Sequence, residues 1–237
     1  KLDMNFNISI EDIMASMLNS LKDTNQTATA LYERFGYNEK FKSTEVLHFN
    51  SEKKLSAVSF DDIGTFAFGA PEFILNKKEY LKISHTVDGY AQMGLRVILL
   101  AKSDAKIIDY KLPNDFSPIA LIILNDNIRN EAYSTVKWFN DNDVDIKVIS
   151  GDNPITVSEV AKRVGIKNAD KFISLEGLND QEVFEIANKY TVFGRVSPEQ
   201  KHHLIKTLKQ KGYVVAMTGD GVNDVLALKE ADCSIAM

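Results

Sequence analysis

The spacing of apolar residues divides the chain into two parts with different secondary structure. In the first part, apolar residues recur at helical spacing over 10–21, which predicts an amphipathic helix with one buried face. A second helix is predicted from Ala28 to Phe35, ending at Gly36. Short apolar segments between polar turns predict strands, and one helix separates them. The strands are expected at 44–49, 54–60, 63–68, 95–101 and 105–111, with the helix at 77–93.

Beyond a proline-containing segment at 112–118, strands and helices alternate strictly. Strands are expected at 119–124, 145–150, 171–174, 191–193 and 213–217. Helices should lie between them, one of them opened by Pro154 and another by Ser197 in a capping box. Strict alternation predicts a doubly wound α/β domain with a parallel sheet, whereas the first part predicts an α+β domain with an antiparallel sheet. The predicted division is a lead-in at 1–7, a first domain at 8–116 and a second at 117–237.

Composition excludes several classes of protein. The 237 residues carry a net charge of -5 with acids and bases intermixed, so we expect no nucleic-acid partner. A single cysteine, Cys233, excludes an internal disulfide. No apolar segment approaches the roughly 18 residues needed to span a bilayer. A last strand is predicted from Cys233 to Met237 and no helix follows it, so we expect the chain to be a soluble part of a longer protein.

Polar residues follow the strand that ends near 150. Ser150, Gly151 and Asp152 supply a hydroxyl, a flexible backbone and a helix start at this point. Helix N-termini attract phosphate through free amide groups and the helix dipole. A routine strand-to-helix turn with a capping acid accounts for these residues equally well, and is favoured when they are considered alone.

A lysine follows the strand at 191–193. Lys201 falls in the first turn of the next helix, where the helix dipole disfavours a cation. A lysine that reaches a phosphate from this position would stabilise the charge of a transferred phosphoryl group. A solvated surface lysine is the alternative, and it is favoured when this segment is considered alone.

The strand at 213–217 leads into a loop with two glycines and two carboxylates. Asp220 and Asp224 repel each other unless a cation joins them, and Mg²⁺ prefers carboxylate oxygen. Asp220 is placed to hold the metal, Asn223 can donate to a phosphate oxygen, and Asp224 can orient Lys201 or bind the metal as a second ligand. By itself the loop also fits a plain turn. A hydroxyl, a lysine and paired aspartates at three successive strand ends are far more specific.

This order resembles the haloacid dehalogenase-like phosphotransferases, and longer segments are similar to P-type cation-transporting ATPases. The most specific is Thr-Gly-Asp-Gly-Val-Asn-Asp at 218–224. The bacterial cation-transporting ATPase E is the nearest type. Further segments that carry the resemblance are the lysine segment at 192–201, the phosphate-contacting turn at 150–153, the hinge at 126–129, and nucleotide-domain signatures at 69–72 and 94–96.

The resemblance implies that the first domain binds ATP. Phe49 is the candidate for stacking on adenine, Lys54 and Arg96 would meet the phosphates or the ribose, and Gly69 belongs to a nucleotide-domain signature. Without the family, the favoured interpretations are an ordinary core aromatic for Phe49 and a solvated strand lysine for Lys54.

The resemblance also implies that Asp126 and Arg129 support the hinge where the first domain rejoins the second. Arg129 is expected to belong to the ATP site as well.

For the second domain, the resemblance implies transfer of the terminal phosphate of ATP to an aspartate. The resulting aspartyl phosphate would then be hydrolysed. Lys201, Ser150, Gly151, Asp152, Asn223 and Asp224 would serve this chemistry, with Mg²⁺ held by Asp220 and Asp224. The partners would be ATP, the transmembrane and actuator domains of the same polypeptide, and a cation that this chain does not bind. The location would be the cytoplasmic face of the cell membrane.

Two departures from the family pattern matter. The nucleophile motif Asp-Lys-Thr-Gly-Thr is absent, so the phosphorylated aspartate is expected upstream of Lys1 and the chain alone is expected to be inactive in phosphorylation. Phe68 stands where the family usually has a lysine, which removes a cation near the adenine.

Two other functions remain open from the sequence. One is a soluble phosphatase of the same superfamily, in which the first domain would be a large cap that selects a small phosphorylated substrate. The other is a regulatory module that binds nucleotide and has lost catalysis. ATP affinity separates the first from the ATPase, and the residues upstream of Lys1 separate the second.

Overall fold

Helices and strands follow the predicted pattern closely in the computed structural model, which describes residues 1–3, 6–50, 52–125 and 127–237. The elements up to residue 124 are α1 (Ile10–Leu21), α2 (Gln26–Phe35), β1 (Ser43–Asn50), β2 (Leu55–Phe60), β3 (Gly64–Gly69), α3 (Pro71–Ile74), α4 (Lys77–Gln92), β4 (Arg96–Ser103) and β5 (Ser117–Leu124). The remaining elements are α5 (Ala132–Asp141), β6 (Val148–Ile149), α6 (Pro154–Arg163), β7 (Phe172–Ser174), α7 (Asp180–Ile186), β8 (Val192–Gly194), α8 (Pro198–Gln210), β9 (Ala216–Gly219), a 3-10 turn (Val222–Asp224), α9 (Val225–Glu230) and β10 (Cys233–Ala236).

The chain is divided between two units. Unit 1 consists of Lys1–Val87 and Val97–Leu124, and unit 2 consists of Asp88–Arg96 and Asn125–Met237. The first structural boundary therefore falls within α4, and the last falls after Leu124 rather than after Phe116, next to the predicted hinge at 126–129. Of that hinge, Asp126 lies outside the described residues. Among the described residues we find no helix that combines the length and the apolar composition needed to span a bilayer.

Unit 1 is built on a five-stranded sheet in the order β1-β2-β3-β4-β5, whose first four strands pair antiparallel as predicted. Successive side chains of a strand point to opposite faces, so each face carries its own apolar cluster. Val58 and Phe60 of β2 pack in the cluster that contains α1, whereas Leu55 and Ala57 pack in the other. The sheet is therefore buried on both faces.

The helix predicted at 10–21 is confirmed by α1. Ser9 caps its N-terminus by accepting a hydrogen bond from the amide of Asp12 at 3.2 Å. The apolar face predicted from the spacing is the buried one, with Ile13 and Met17 fully buried. α2 is also confirmed, and Gly36 caps its C-terminus with φ of 70°.

In this region one predicted strand is wrong, and another strand joins a different sheet from the one expected. Residues 105–111 form a tight turn, because Asp109 and Tyr110 adopt left-handed φ values of 50° and 59° and only Ile108 and Lys111 bridge across it. Residues 119–124 do form a strand, β5, but it joins the sheet of unit 1 next to β4 and does not open the parallel sheet. The spacing of apolar residues could not show which of the two sheets the strand at 119–124 would join.

Unit 2 confirms the predicted α/β class with parallel strands. β6, β8 and β7 form a three-stranded parallel sheet with β8 in the centre, and β9 pairs parallel to β10. The described strands of unit 2 thus form two separate sheets. β8 is fully buried, and Phe193 packs there with Leu204 of α8. Gly194 ends β8 where a Cβ atom would lie 2.5 Å from Cα of Pro154, so only glycine allows α6 to begin this close to the sheet.

The strand predicted at 213–217 is shifted and less buried than expected. β9 starts at Ala216, and Val214 before it is 91% exposed. Only Val215 of this apolar segment is buried, together with the cluster around α8. β9 ends at Gly219, two residues beyond the predicted end and directly before Asp220 of the candidate site.

Gly69 provides a test of the unit 1 packing. A Cβ atom there would lie 2.3 Å from the carbonyl oxygen of Lys54 and 2.6 Å from Cα of Leu55. Backbone atoms cannot yield cheaply, so we expect Gly69→Ala to lower the free energy of unfolding by about 1–3 kcal/mol. Gly89→Ala is the matched control, because nothing lies within 4 Å of a Cβ atom at that position. Urea unfolding of both variants measures the difference, and equal stabilities would contradict the close approach.

Candidate functional site

A buried ion pair joins two of the predicted loops. Lys201 Nζ lies 2.6 Å from Asp224 Oδ1, and the two side chains are only 15% and 8% exposed. Removing two charges from water is costly, and their pairing offsets that cost. The alternative of a solvated surface lysine is therefore excluded for Lys201.

The position of Lys201 follows from how α8 begins. Ser197 accepts a hydrogen bond from the amide of Gln200, the Gln200 side chain accepts one from the amide of Ser197, and Pro198 occupies the first turn. This is the predicted capping box. The side-chain amide Nε2 of Gln200 also donates to the carbonyl of Leu175 at 2.8 Å. The first turn of α8 is thus held at both its backbone and its side chains.

The position of Asp224 depends on Gly219 at the end of β9. A Cβ atom on Gly219 would lie 2.7 Å from Asp224 Cβ and 2.8 Å from its Oδ2. The 3-10 turn that returns Asp224 to this point is closed by its amide, which donates to the carbonyl of Gly221 at 3.0 Å. Gly219 therefore leaves the space that the paired carboxylate occupies.

The loop after β6 is bound to the segment that leads into α8. The amide of Val196 donates to the carbonyl of Ser150 at 3.0 Å, and the amide of Arg195 donates to the carbonyl of Asp152 at 2.9 Å. Within the loop, the amide of Asp152 donates to Ser150 Oγ at 3.1 Å. Asn153 caps α6 by accepting a hydrogen bond from the amide of Ile155. The loop at 150–152 and the start of α8 thus form one connected surface.

Sequence reasoning missed the role of Arg195. Its guanidinium donates to the carbonyl of Gly151 at 3.2 Å, and its backbone has a left-handed φ of 52°. Arg195 lies within the lysine segment at 192–201. Neither its charge nor its position in the sequence indicated that it would bond to the loop at 150–152. It adds a side-chain bond to the two backbone bonds that join the loops.

Asp220 and Asn223 lie exposed on the β9 loop. Neither side chain forms a hydrogen bond or ion pair within the described part of the chain. The Asp220 carboxylate is a hard oxygen donor and fits Mg²⁺. No group of three His, Cys, Asp or Glu residues that could hold a metal occurs among the described residues. A magnesium ion at Asp220 would therefore take its other ligands from water, phosphate or another segment.

In addition to the Lys201–Asp224 pair, contacts of Asp232 hold α8, β9 and β10 together. The amide of Val215 donates to Asp232 Oδ2 at 2.9 Å, and Lys209 Nζ lies 3.4 Å from Asp232 Oδ1. The backbone hydrogen bond from Val215, followed by the hydrogen bond and the charge of Lys209, holds the pKa of Asp232 below its usual value. These contacts keep α8 in register with the strand that carries the candidate site.

The residues predicted to bind ATP are divided between the two units. In unit 1, Phe49 lies on β1 and is 54% exposed. The Lys54 amide donates to the carbonyl of Asn50 at 2.8 Å and the Lys54 carbonyl accepts from Ala70 at 3.0 Å, which places Lys54 against the end of β3 at Gly69. These contacts bring Lys54 and Gly69 together.

In unit 2, Arg96 Nη2 lies 2.6 Å from Asp152 Oδ2. Arg129 is exposed just before α5. Phe68 of unit 1, where the resemblance implies a lysine, is partly buried and packs against the apolar cluster around α1. Its side chain is thus part of the packing of that sheet face.

A cavity of about 590 Å³ lies between α1 and α2 of unit 1. Its walls include Asp23, Glu33 and the stacked rings of Tyr32 and Tyr37, whose centroids are 4.5 Å apart. None of the predicted nucleotide residues lines it.

Comparison with known proteins extends these observations. A sequence model of the haloacid dehalogenase-like hydrolases matches residues 27–232. The chain is 38% identical over 231 residues to the probable cation-transporting ATPase exp7 of Streptococcus pneumoniae, covering 97% of this chain and 29% of that protein. It is 35% identical over 229 residues to the calcium-transporting ATPase CtpE of Mycobacterium bovis, covering 97% of this chain and 28% of that protein.

A third relative is the cation-transporting ATPase pma1 of Synechocystis, which is 38% identical over 166 residues, 66% of this chain and 18% of that protein. The chain thus spans less than a third of the length of these curated relatives. The resemblance to cation-transporting ATPases is confirmed, and the narrower E type stays a prediction.

The Lys201–Asp224 pair provides a test of the site geometry. Removing either partner leaves the other charge buried, so we expect Lys201→Met and Asp224→Asn each to destabilise the protein by about 3 kcal/mol. The double variant should lose less than the sum of the two, with a coupling of about 1–3 kcal/mol. Lys206→Met, an exposed lysine on the same helix, is the control. Denaturant unfolding measures all four variants, and additive losses would show that the two groups do not interact.

Proposed function

Because this chain belongs to the haloacid dehalogenase-like hydrolases, we propose that it is the nucleotide-binding and phosphoryl-transfer portion of a P-type cation-transporting ATPase. The observation that carries the proposal is the buried Lys201–Asp224 pair, one helical turn from the segment that binds the 150–152 loop. A fixed cation and a loop with a hydroxyl and free amides lie at neighbouring strand ends, which is the arrangement that a transferred phosphoryl group requires.

In the proposed reaction, an aspartate oxygen forms a bond to the terminal phosphorus of ATP while the bond to the bridging oxygen of ADP breaks. Lys201 stabilises the negative charge that spreads over the phosphoryl oxygens during this step. Ser150 Oγ accepts from the Asp152 amide, which leaves its own proton to donate to a phosphate oxygen in the proposed reaction. Water later attacks the aspartyl phosphate and releases inorganic phosphate.

We assign different roles to the two aspartates of the β9 loop. Asp224 holds Lys201 in place, since one of its oxygens is already bonded to the ammonium group. Asp220 is the residue that would hold Mg²⁺, and Asn223 would donate to a phosphate oxygen. When bound, Mg²⁺ would neutralise charge on the phosphate and align it for transfer.

The nucleophile is proposed to lie on a segment outside this chain, since the motif Asp-Lys-Thr-Gly-Thr does not occur in it. The packing of unit 2 supports an additional segment. Parallel strands are normally covered on both faces, yet all four residues of β10 are exposed and α5 has no buried residue. Trp138 of α5 and Ile235 of β10 are 60% and 58% exposed. A further strand would cover apolar surface of this kind.

Unit 1 is proposed to bind the nucleotide. The exposed ring of Phe49 is available to stack on adenine, and Lys54 and Gly69 lie together at the same edge of the sheet. Arg96 and Arg129 of unit 2 would meet the phosphates or support the hinge. In the whole protein, transmembrane and actuator domains would couple this chemistry to movement of a cation, with this portion at the cytoplasmic face of the membrane.

ATP binding separates the ATPase from a soluble phosphatase of the same family. We expect the chain to bind ATP and Phe49→Ala to weaken binding about 5-fold or more, because stacking contributes on the order of 1 kcal/mol. Tyr37→Ala removes an exposed aromatic that lines the α1–α2 cavity and should leave affinity unchanged. Isothermal titration measures all three proteins. Absence of ATP binding would favour the phosphatase, and an effect at Tyr37 alone would move the site to the cavity.

Phosphoenzyme formation tests the site in unit 2. In the full-length protein, Lys201→Met and Asp220→Asn should each reduce acid-stable labelling from radioactive ATP by about 100-fold or more. Lys206→Met should label as the unsubstituted protein does. This chain alone should not label. Normal labelling of the Asp220 variant would refute its proposed role, and labelling of the isolated chain would place the nucleophile within it.

A further inference from the structure

Two side chains of α6 bind the backbone of a turn at 93–96 within unit 2. Thr156 Oγ1 donates to the carbonyl of Leu95 at 3.1 Å, and Thr156 is only 8% exposed. Arg163 Nη2 donates to the carbonyl of Met93. Thr156 and Arg163 are seven residues apart, which places them on one face of the helix two turns from each other. The turn therefore lies along that face of α6.

Gly94 shows how closely the turn approaches α6. Its φ is 70°, a left-handed value that favours glycine, and a Cβ atom would lie 3.0 Å from Arg163 Cζ. The guanidinium thus fills the space that a side chain at Gly94 would need. The carbonyls of Met93 and Leu95 are fixed on either side of it.

The next residue of the turn is Arg96, which reaches the candidate site. Its guanidinium bonds to Asp152, whose backbone carbonyl accepts from Arg195 in the segment that leads to Lys201. The Arg96 and Asp152 side chains are 32% and 40% exposed. An ion pair this exposed is weak and fixes a long side chain poorly by itself. The bonds from Thr156 and Arg163 add a restraint on the backbone that carries the Arg96 side chain.

We propose that Thr156 and Arg163 are positioning residues that hold Arg96 at the phosphate end of the site for transfer from ATP. The inference rests on the proposed function, because it assumes that Arg96 serves the nucleotide phosphates. Neither anchor was indicated by the sequence. Thr156 and Arg163 act through the 93–96 backbone and do not themselves touch the reacting groups.

A purely structural role for the two anchors predicts a different result. Loss of α6 packing would impair every reaction of the phosphorylated aspartate. Loss of Arg96 positioning would impair only the reaction that uses nucleotide. Because hydrolysis of an aspartyl phosphate is reversible, inorganic phosphate with Mg²⁺ can phosphorylate the same carboxylate without ATP. Comparing the two phosphate sources therefore distinguishes positioning from packing.

The test uses the full-length protein. Thr156→Val removes the hydroxyl and keeps the shape, and Thr156→Ser restores the hydroxyl. Arg163→Gln removes the second anchor at an exposed position, and Lys162→Gln is its control, since Lys162 pairs with Glu159 along α6 instead. The measurements are the initial rate of phosphoenzyme formation against ATP concentration and the phosphoenzyme level reached from inorganic phosphate and Mg²⁺.

We expect Thr156→Val and Arg163→Gln to lower the rate per ATP concentration about 3- to 10-fold, as contacting groups in one network do. Labelling from inorganic phosphate should stay within about 2-fold of the unsubstituted protein. Thr156→Ser should recover most of the rate, and Lys162→Gln should match the unsubstituted protein. In an Arg96→Gln background, Thr156→Val should cause no further loss.

Three results would overturn the inference. These are equal losses with both phosphate sources, no loss with either, and a full further loss in the Arg96→Gln background. If Thr156→Val fails to fold, the exposed Arg163→Gln variant decides alone. Failure of the unsubstituted protein to label from either source is a separate outcome, which refutes the proposed function and with it the inference.

Discussion

A lysine and an aspartate that are both withdrawn from water can persist only as a pair, and the candidate site depends on this constraint. Lys201 and Asp224 are 23 positions apart in the sequence and belong to different elements. Their 2.6 Å contact fixes the start of α8 against the end of β9. Because an unpaired partner would be a buried charge, any shift of one element relative to the other is costly. The ion pair thus sets the register of the site.

Local signals in the sequence were sufficient for the parts of this fold that depend on neighbouring residues. The capping box at Ser197 and the α1 stripe both appear where spacing and side-chain chemistry placed them. The pairing of strands, in contrast, depends on residues far apart in the sequence, so local signals could not predict it. β5 is an apolar strand that fits either sheet, and only its pairing with β4 assigns it to unit 1. The left-handed φ values of Asp109 and Tyr110 were not predicted either. Glycine is the residue type whose presence indicates such a turn, and neither of these two is a glycine.

The candidate site was predictable in composition and less so in the role of each residue. Sequence order predicted which loops form the site, and that stays a prediction. It left Asp224 either a metal ligand or a partner of Lys201, and the structure shows the contact with Lys201. Gly69 and Gly219 belong to the recognised segments, yet each stands where a Cβ atom would collide with a neighbouring group. Packing alone therefore explains both glycines, and neither one is evidence for ligand contact by itself.

Two charged side chains of the candidate site, Lys201 and Asp220, differ in how firmly the protein holds them. Lys201 is already held by a buried carboxylate, so the cost of orienting this cation is met when the protein folds. Asp220 remains exposed in the same loop with no ion pair among the described residues, and its charge is available to a ligand. Fixed groups that need no reorganisation at the moment of reaction contribute most to stabilising a charged transition state. An arrangement with one cation fixed and one anion free is therefore suited to receive a phosphate that arrives with its own metal ion.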